Sequence, residues 1–420
     1  MIGIYIHVPF CASFCNYCNF YSVKRLAQSA LYPRALRKEM EQRLPAFLGE
    51  HARPTGHTLP AGHALPTGHA LPAGHALPAG HALPEYTLYL GGGTPSVLGI
   101  EGIGEITGAV RELVEQFHAA AGLQAPAAFR EVTAEVNPDD ITPQFASALR
   151  STGVNRVSIG FQSLHNSNLE WMGRRHNAKQ AIRAYRLLRD AGIGNISIDL
   201  IFGYTGLTQE LWRQNLEQVI ELGPEHISGY QMSIEPSTPL GKAYERGEYK
   251  MPSQEECSRE YALMQQMLCN AGYRQYEISN FALPGFEAIH NSNYWNGTPY
   301  IGFGPGAHSF SGIKRDSAGL PYASRCWNSP NLAAYMRGQL RQGSERLDAK
   351  ELFNEAIMLG LRTAKGVDTA LLDPHLLKAT EPMLQNYLRT GKMEQKGTVV
   401  YLKSDCLFIA DSIIRELMII

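Results

Sequence analysis

Three cysteines near the start of the chain constrain this protein more than any other sequence feature. Cys11, Cys15 and Cys18 have a Cys-x3-Cys-x2-Cys spacing and follow an apolar, strand-like run over residues 2–8. Three thiolates can bind three irons of a [4Fe–4S] cluster, which leaves the fourth iron open to a small molecule. The alternatives are a zinc site or three structural thiols, but zinc normally takes four ligands and no second cysteine pair of this kind follows.

The open iron of such a cluster predicts a second cofactor. We expect it to be S-adenosylmethionine (SAM), whose amino and carboxylate groups can chelate the iron. An electron from the cluster then cleaves a C–S bond and releases a 5′-deoxyadenosyl radical, chemistry that belongs to the cofactor while the protein positions it. The four remaining cysteines are scattered, which favours a reducing cytoplasm over a disulfide framework; they are Cys257, Cys269, Cys326 and Cys406.

Composition excludes several classes of protein. The 420-residue chain is 44% hydrophobic and 18% charged, which is ordinary for a globular protein of two or three domains. Its net charge of −1 gives no basic footprint for nucleic acid. No apolar run is long enough to span a membrane, and the N-terminus does not resemble a signal peptide, so we expect a cytoplasmic protein.

The first 235 residues have the pattern of a parallel α/β protein. Six short apolar runs rich in β-branched and aromatic residues cover 2–8, 86–90, 130–136, 155–161, 196–202 and 226–234, and several are separated by segments of helical period, such as 178–188. Strand, helix and strand at this spacing predict βαβ units and a partial (β/α) barrel. In such barrels functional side chains gather at the carboxyl ends of the strands.

A repeat interrupts this pattern at residues 54–84. Proline and glycine recur every six residues together with the histidines His57, His63, His69, His75 and His81. Regular prolines and glycines forbid a helix and leave little surface for a core. We therefore expect a solvated insert, with loose binding of heme or metal by the histidines as the alternative.

The remainder of the chain divides into two regions. Residues 236–345 are rich in Gly, Pro and Asn, and we expect a loop-rich region that completes the barrel. Residues 346–420 contain a segment of helical spacing, then a β-ribbon near 397–402 and an amphipathic helix over 407–417. This order predicts a small winged-helix-like C-terminal domain.

The cysteine spacing resembles that of the radical-SAM superfamily, and its flanks narrow the resemblance. Tyr-Ile-His-Val-Pro-Phe precedes Cys11, and Tyr-Cys-Asn-Phe occupies 17–20, as in the oxygen-independent coproporphyrinogen oxidase family and, within it, the HemW-type heme chaperones. The resemblance implies a (β/α)6 barrel over 1–235 and a cluster, SAM and heme as cofactors. It also implies heme-acceptor proteins and an electron donor as partners, and it allows a homodimer and peripheral contact with a membrane.

The resemblance further implies a set of SAM-binding residues. A Gly-Gly-Gly-Thr-Pro-Ser run follows the second strand, where glycines permit close approach to a ligand or, alternatively, only a tight turn. Other members of the set lie near strand ends or flank the cysteines. The set is Tyr5, Tyr17, Gly92, Gly93, Thr94, Glu135, Gln162, Arg174, Asp199 and Ser233.

Roles within this set follow from the same resemblance. Glu135 matches a ligand of the SAM amino group or ribose, since a carboxylate on a buried strand is costly without a partner. Gln162 and Asp199 match ribose ligands, Arg174 a ligand of the carboxylate, and Ser233 a position near adenine. A guanidinium suits a carboxylate because its donors form a fixed fork. Taken singly, each of these residues could equally be a satisfied polar group of the core.

A second motif, His-Asn-Ser-Asn-Tyr-Trp at 290–295, is typical of the HemW type and is associated there with heme. An imidazole can ligate iron and aromatic rings can cover a porphyrin, so we expect His290 to be a heme ligand. The alternative is a hydrogen-bonded His290 beside core aromatic residues.

Two departures separate this sequence from the oxidases of the resembled family. The oxidases have a fourth cysteine two residues after the third, where this chain has Phe20, and a longer segment before the cluster. We therefore expect a heme chaperone that delivers heme to acceptor proteins and lacks coproporphyrinogen oxidase activity. The alternative is an oxygen-independent coproporphyrinogen III oxidase or another radical-SAM enzyme acting on a tetrapyrrole.

Overall fold

The computed structural model describes residues 1–24, 26–51, 83–123 and 125–419. The predicted insert at 54–84 lies outside the described residues except for its last two positions, so its solvated character stays a prediction. None of the helices in the described ranges is both long and apolar enough to cross a bilayer.

Six parallel strands form the centre of the fold and pair in the order of the sequence. They match the six predicted runs to within a few residues, and the α/β class is confirmed. The strands are β1 (Ile2–Val8), β2 (Glu85–Gly92), β3 (Ala128–Val136), β4 (Arg156–Gln162), β5 (Ile196–Phe202) and β6 (His226–Gln231).

Helices connect these strands and cover one face of the sheet. Several begin at a side-chain cap; Asn177 and Gln180, for example, form a reciprocal capping box at the start of the helix before β5. The helices are α1 (Tyr32–His51), α2 (Gly99–Ala120), α3 (Pro143–Leu149), α4 (Asn166–Trp171), α5 (Ala178–Asp190) and α6 (Gln209–Leu222).

Alternation along β1 shows how the sequence separates the two faces. Ile2, Ile4 and Ile6 are buried in the core between sheet and helices, whereas the alternate positions, Tyr5 and His7, hydrogen-bond to each other on the inner face. The inner faces of the other parallel strands also carry polar and aromatic groups. The interior of the curved sheet is therefore the polar side of the fold.

The sheet is mixed and remains open. Strand β9 pairs in parallel with β1, and β8 pairs antiparallel with β6, so the described pairings run from one edge to the other without closing. Within 236–345 the elements are α7 (Pro239–Glu245), α8 (Gln254–Asn270), β7 (Arg274–Gln275), β8 (Asn280–Ala282), α9 (Ile289–Trp295), β9 (Tyr300–Phe303), β10 (His308–Phe310), β11 (Lys314–Arg315), β12 (Pro321–Asn328), α10 (Leu332–Met336) and β13 (Gln342–Leu347).

This region is more regular than its loop-rich composition indicates. It completes the sheet at both edges, as expected, and it contains α8, a helix of 17 residues. Ser253 and Glu256 form a capping box at the start of α8. Packing of the buried Tyr261, Met264 and Leu268 against the core then holds that helix in place.

The last segment has its own small sheet. Strands β14, β16 and β15 pair antiparallel in that order, and α11 contacts both β12 of the large sheet and α13. The elements are α11 (Ala349–Gly360), β14 (Val367–Asp368), α12 (Pro374–Arg389), β15 (Met393–Lys396), β16 (Val399–Leu402) and α13 (Ala410–Leu417). The winged-helix-like character and the domain boundaries stay predictions.

Candidate functional site

The three cysteines lie in the loop after the carboxyl end of β1, beside the loops that follow β2 and β4. The Cys11 thiol is buried and lies 3.4 Å from the Thr94 hydroxyl. The Cys15 thiol accepts a hydrogen bond of 3.3 Å from Arg174 Nη1. The backbone N–H of Cys18 donates to the carbonyl of Cys15. The loop therefore brings all three predicted ligands to the edge of the sheet where parallel strands end.

The donor set fits a cluster better than a single ion. No three His, Cys, Asp or Glu side chains in the described parts of the chain converge closely enough to hold one metal ion. In a [4Fe–4S] cluster each thiolate binds its own iron, so the thiols need only line one recess. Burial raises the pKa of the Cys18 thiol to about 11, and a nearby metal charge is what converts such a thiol into a thiolate ligand.

The glycine run after β2 fixes the position of the cysteine loop. The backbone N–H of Gly93 donates to the carbonyl of Val8 at 2.8 Å. A Cβ at Gly93 would lie 2.7 Å from the carbonyl oxygen of Phe10 and 2.8 Å from that of Val8. Gly92 has a φ of 105°, and a Cβ there would meet the ring of His7 at 2.5 Å. The two glycines are thus required by contacts within the protein.

Two carboxylates face the interior of the sheet near these loops. Glu135 on β3 accepts hydrogen bonds from the Tyr89 hydroxyl at 2.7 Å and the Gly92 N–H at 3.1 Å. Asp199 on β5 accepts bonds from the Ser158 hydroxyl at 2.9 and 3.1 Å. Burial raises the pKa of Glu135 to about 7 and also raises the pKa of Asp199. A cationic or hydroxyl-bearing ligand would stabilise both groups in the ionised form.

Gln162 and Arg174 meet at the end of β4. Gln162 has a φ of 65°, and the register between β4 and β5 shifts at this point. Non-glycine residues held in the left-handed region are strained, and such strain is concentrated at functional sites. A Cβ at Gly160 would lie 2.6 Å from the Gln162 amide and 3.2 Å from Arg174 Nη2, so glycine at this position makes room for both side chains.

The other predicted SAM residues have different surroundings. The Tyr5 hydroxyl lies 3.1 Å from His7 Nδ1 on the inner face of β1. Tyr17 lies against Cys15, and burial raises the pKa of its hydroxyl. Ser233 is exposed and lies past the end of β6. The structure therefore places Tyr5 on the polar inner face and Tyr17 in the cysteine loop, whereas Ser233 lies at the surface.

Asn137 is a member of this site that the sequence interpretation did not assign. It directly follows β3, its amide donates to the Thr94 hydroxyl at 3.2 Å, and its carbonyl oxygen accepts from Arg174 Nη2 at 2.6 Å. It therefore links the side chains that touch Cys11 and Cys15. Asn137 could have been predicted from the sequence, because it is a polar residue immediately after the third strand, where functional side chains of such folds gather.

His290 is buried within the fold. Its Nδ1 lies 2.9 Å from the Thr87 hydroxyl, and its Nε2 lies 2.9 Å from the Tyr294 hydroxyl. Burial, with a smaller contribution from Arg156, lowers the pKa of His290 to about 3, and its ring stacks on Tyr89 with a centroid distance of 5.2 Å. Both ring nitrogens thus have protein partners, which is the alternative that the sequence left open.

Known proteins support the fold and the family. Residues 79–219 match the model of the Radical SAM superfamily. The chain is 30% identical over 365 residues to a protein named heme chaperone HemW from Lactococcus lactis, covering 86% of this chain and 82% of that protein. It is 33% identical over 309 residues to the heme chaperone HemW of Escherichia coli, covering 73% of this chain and 69% of that protein.

A solved structure has the same overall fold. The radical SAM enzyme coproporphyrinogen III oxidase (HemN) from Escherichia coli aligns with a TM-score of 0.72, covering 99% of this chain and 89% of that chain. The sequence identity is 19%, so this likeness bears on the fold alone.

Proposed function

Since this chain belongs to the family of the heme chaperone HemW, we propose that it binds a [4Fe–4S] cluster, SAM and heme, and delivers the heme to acceptor proteins. The observation that carries the proposal is a continuous set of contacts at the strand ends. Cys15 touches Arg174, Arg174 touches Asn137, and Asn137 touches Thr94, which touches Cys11. These contacts support one shared site for the predicted cluster ligands and the predicted SAM ligands Arg174 and Thr94.

Different side chains of the site would bind the cluster and SAM. The three cysteines hold the cluster, which supplies single electrons from an external donor. Arg174 presents a charged donor beside the cluster and suits the carboxylate of SAM. Glu135 and Asp199 present acceptors to its amino group and ribose, and Gln162 adds an amide at the same edge. Ser233, exposed just past the end of β6, is the proposed neighbour of adenine.

Heme would bind at a histidine, and two histidines are candidates. His290 is the residue that the family resemblance names, but it must release Thr87 or Tyr294 before it can ligate iron. His308 on β10 is exposed, and its ring stacks on Trp327 with centroids 5.8 Å apart. Partial burial lowers the pKa of His308, so its ring is neutral at pH 7 and a nitrogen lone pair is available.

The heme experiment compares His290→Ala with His308→Ala in anaerobically reconstituted protein. Wild type is expected to show a Soret band, and loss of the axial imidazole should shift or weaken it. The cluster absorbance serves as the control for folding, since the cluster uses only thiolates. A wild-type protein that gives no Soret band with heme would contradict the heme proposal, and an unchanged band in both variants would place the ligand elsewhere.

Delivery is tested separately. Heme-loaded protein is mixed with an apo-hemoprotein whose absorbance is distinct, and transfer should proceed faster than from heme bound to serum albumin. The same preparation, incubated anaerobically with coproporphyrinogen III, SAM and a reductant, should form no protoporphyrinogen. Turnover in that assay would favour the oxidase alternative. Phe20, which takes the place of the oxidases' fourth cysteine, is 70% exposed beside the cluster loop.

A further inference from the structure

One buried guanidinium in the interior of the sheet, that of Arg156, has hydrogen-bond donors that no described residue accepts. Arg156 is only 1% exposed, yet no described residue accepts a hydrogen bond from its Nε or Nη1. None of the ion pairs among the described residues includes it. A buried guanidinium without acceptors is costly, because it has lost its water and gained nothing in exchange. The donors of Arg156 are therefore free for a ligand.

The position of Arg156 directs it into the polar interior. It begins β4 and lies on the same face as Ser158, which hydrogen-bonds to Asp199. Across the sheet it pairs with Thr133, whereas Ser158 pairs with Glu135. In the register of the sheet, Arg156 therefore lies two residues below the level of Glu135 and four below that of Asp199, which pairs with Gly160. Both carboxylates lie near enough for its charge to lower their pKa values.

The neighbours of Arg156 are already engaged with one another. Glu135 accepts hydrogen bonds from the Tyr89 hydroxyl and from the N–H of Gly92, the last residue of β2. The imidazole of His226 lies 2.7 Å from the Ser197 hydroxyl and 2.8 Å from the Tyr276 hydroxyl. His290 is likewise bonded at both nitrogens. Around Arg156, the side chains that could accept its N–H groups thus have other partners, while no described residue accepts from its Nε or Nη1.

We propose that Arg156 binds the carboxylate group of a ligand that enters the interior of the sheet below the Glu135 and Asp199 pair. A carboxylate is the acceptor that the planar fork of a guanidinium matches with two parallel hydrogen bonds. It also neutralises the buried charge of Arg156 without burying a second charge of the same sign. The carboxylate could belong to a free small acid or to a propionate arm of a tetrapyrrole.

Calorimetric titration with sodium propionate tests the site directly. The protein is reconstituted with its cluster, and the buffer holds ionic strength constant with chloride. Wild type should bind one equivalent, and Arg156→Met should bind at least tenfold more weakly, since it removes the charge and the donors together. Arg130→Met is the matched control, because Arg130 lies on the neighbouring β3 but is 59% exposed. It should bind propionate as wild type does.

If Arg156→Met does not fold, Arg156→Lys is tested in its place, because this variant keeps the buried charge. Lysine cannot form the two parallel bonds, so propionate should bind several-fold more weakly than to wild type. Heme and heme dimethyl ester then separate the two sources of carboxylate. Competition by heme but not by its ester assigns the site to a propionate arm, and competition by neither assigns it to a free acid. No binding to wild type, or undiminished binding to Arg156→Met, would overturn the proposal.

Discussion

The raised pKa of Glu135 leads to a prediction about how stability depends on pH. Burial raises this pKa from 4.5 to about 7, so the folded protein holds a proton there over a range in which the unfolded chain has lost it. The free energy of unfolding should therefore fall as the pH rises from about 4.5 through 7 and be level above that range. A shift of this size corresponds to about 3 kcal/mol at 1.4 kcal/mol per pH unit.

Glu135→Gln isolates this contribution because the amide stays neutral at every pH. Relative to wild type, the free energy of unfolding of the variant should increase by about 3 kcal/mol as the pH rises from 5 to 8. Urea unfolding of the cofactor-free protein, followed by circular dichroism at several pH values, measures the difference. Two other buried carboxyls, Glu260 and Glu277, also have a pKa of about 7, but they titrate alike in both proteins and cancel.

A surface substitution provides the control for this experiment. Glu101 is exposed in the first turn of α2, so Glu101→Gln should follow the wild-type curve. Parallel curves for wild type and Glu135→Gln would refute the reasoning, since they would mean that Glu135 is ionised in the folded protein at low pH. In the presence of SAM the difference should shrink, because a bound ammonium group stabilises the carboxylate.

Three further predictions concern the cluster and the insert. Replacing any one cluster cysteine by Ala should abolish the broad visible absorbance of reconstituted protein, whereas replacing any of the other four should not; loss of the cluster in Cys326→Ala would show that the ligand set is wrong. Gly93→Ala should lower cluster content and destabilise the fold by about 1–3 kcal/mol, because the added methyl meets two backbone carbonyls; wild-type iron content and melting temperature would contradict this. Replacing residues 54–84 by a short linker should leave the melting temperature and SAM binding nearly unchanged, since the entropy of loop closure depends weakly on loop length. A large fall in melting temperature would mean that the insert packs on the sheet.

Local sequence pattern predicted the strands because each is a short apolar run rich in β-branched and aromatic residues, as expected for parallel strands buried on both faces. In β1 every position except Tyr5 is buried. The apolar run over residues 2–8 likewise predicted that the three cysteines follow a strand, and they follow β1. The helix α8 was missed because its composition is mixed, although the Ser253 and Glu256 capping box was present in the sequence. Short strands such as β7 and β11 are two residues long, which is too short for a periodic pattern, and each pairs antiparallel with the strand that follows it.

Contacts between distant segments could not be predicted from the motifs. Asn137 contacts both Thr94 and Arg174 only because the strands β2, β3 and β4 end at the same edge of the sheet, which brings the loops after them together. The strain at Gln162 follows from a register shift between β4 and β5, which no property of glutamine predicts.

His290 shows why a motif alone does not fix a role. Its sequence neighbours give the helix α9 an aromatic character that suits a heme face as well as a core. The deciding partner is Thr87, which lies on β2 and is far away in the sequence. A histidine buried with both nitrogens bonded serves as a ligand only after one of those hydrogen bonds breaks. We therefore expect Soret formation at His290 to be slow and to be accelerated by Tyr294→Phe, which frees Nε2.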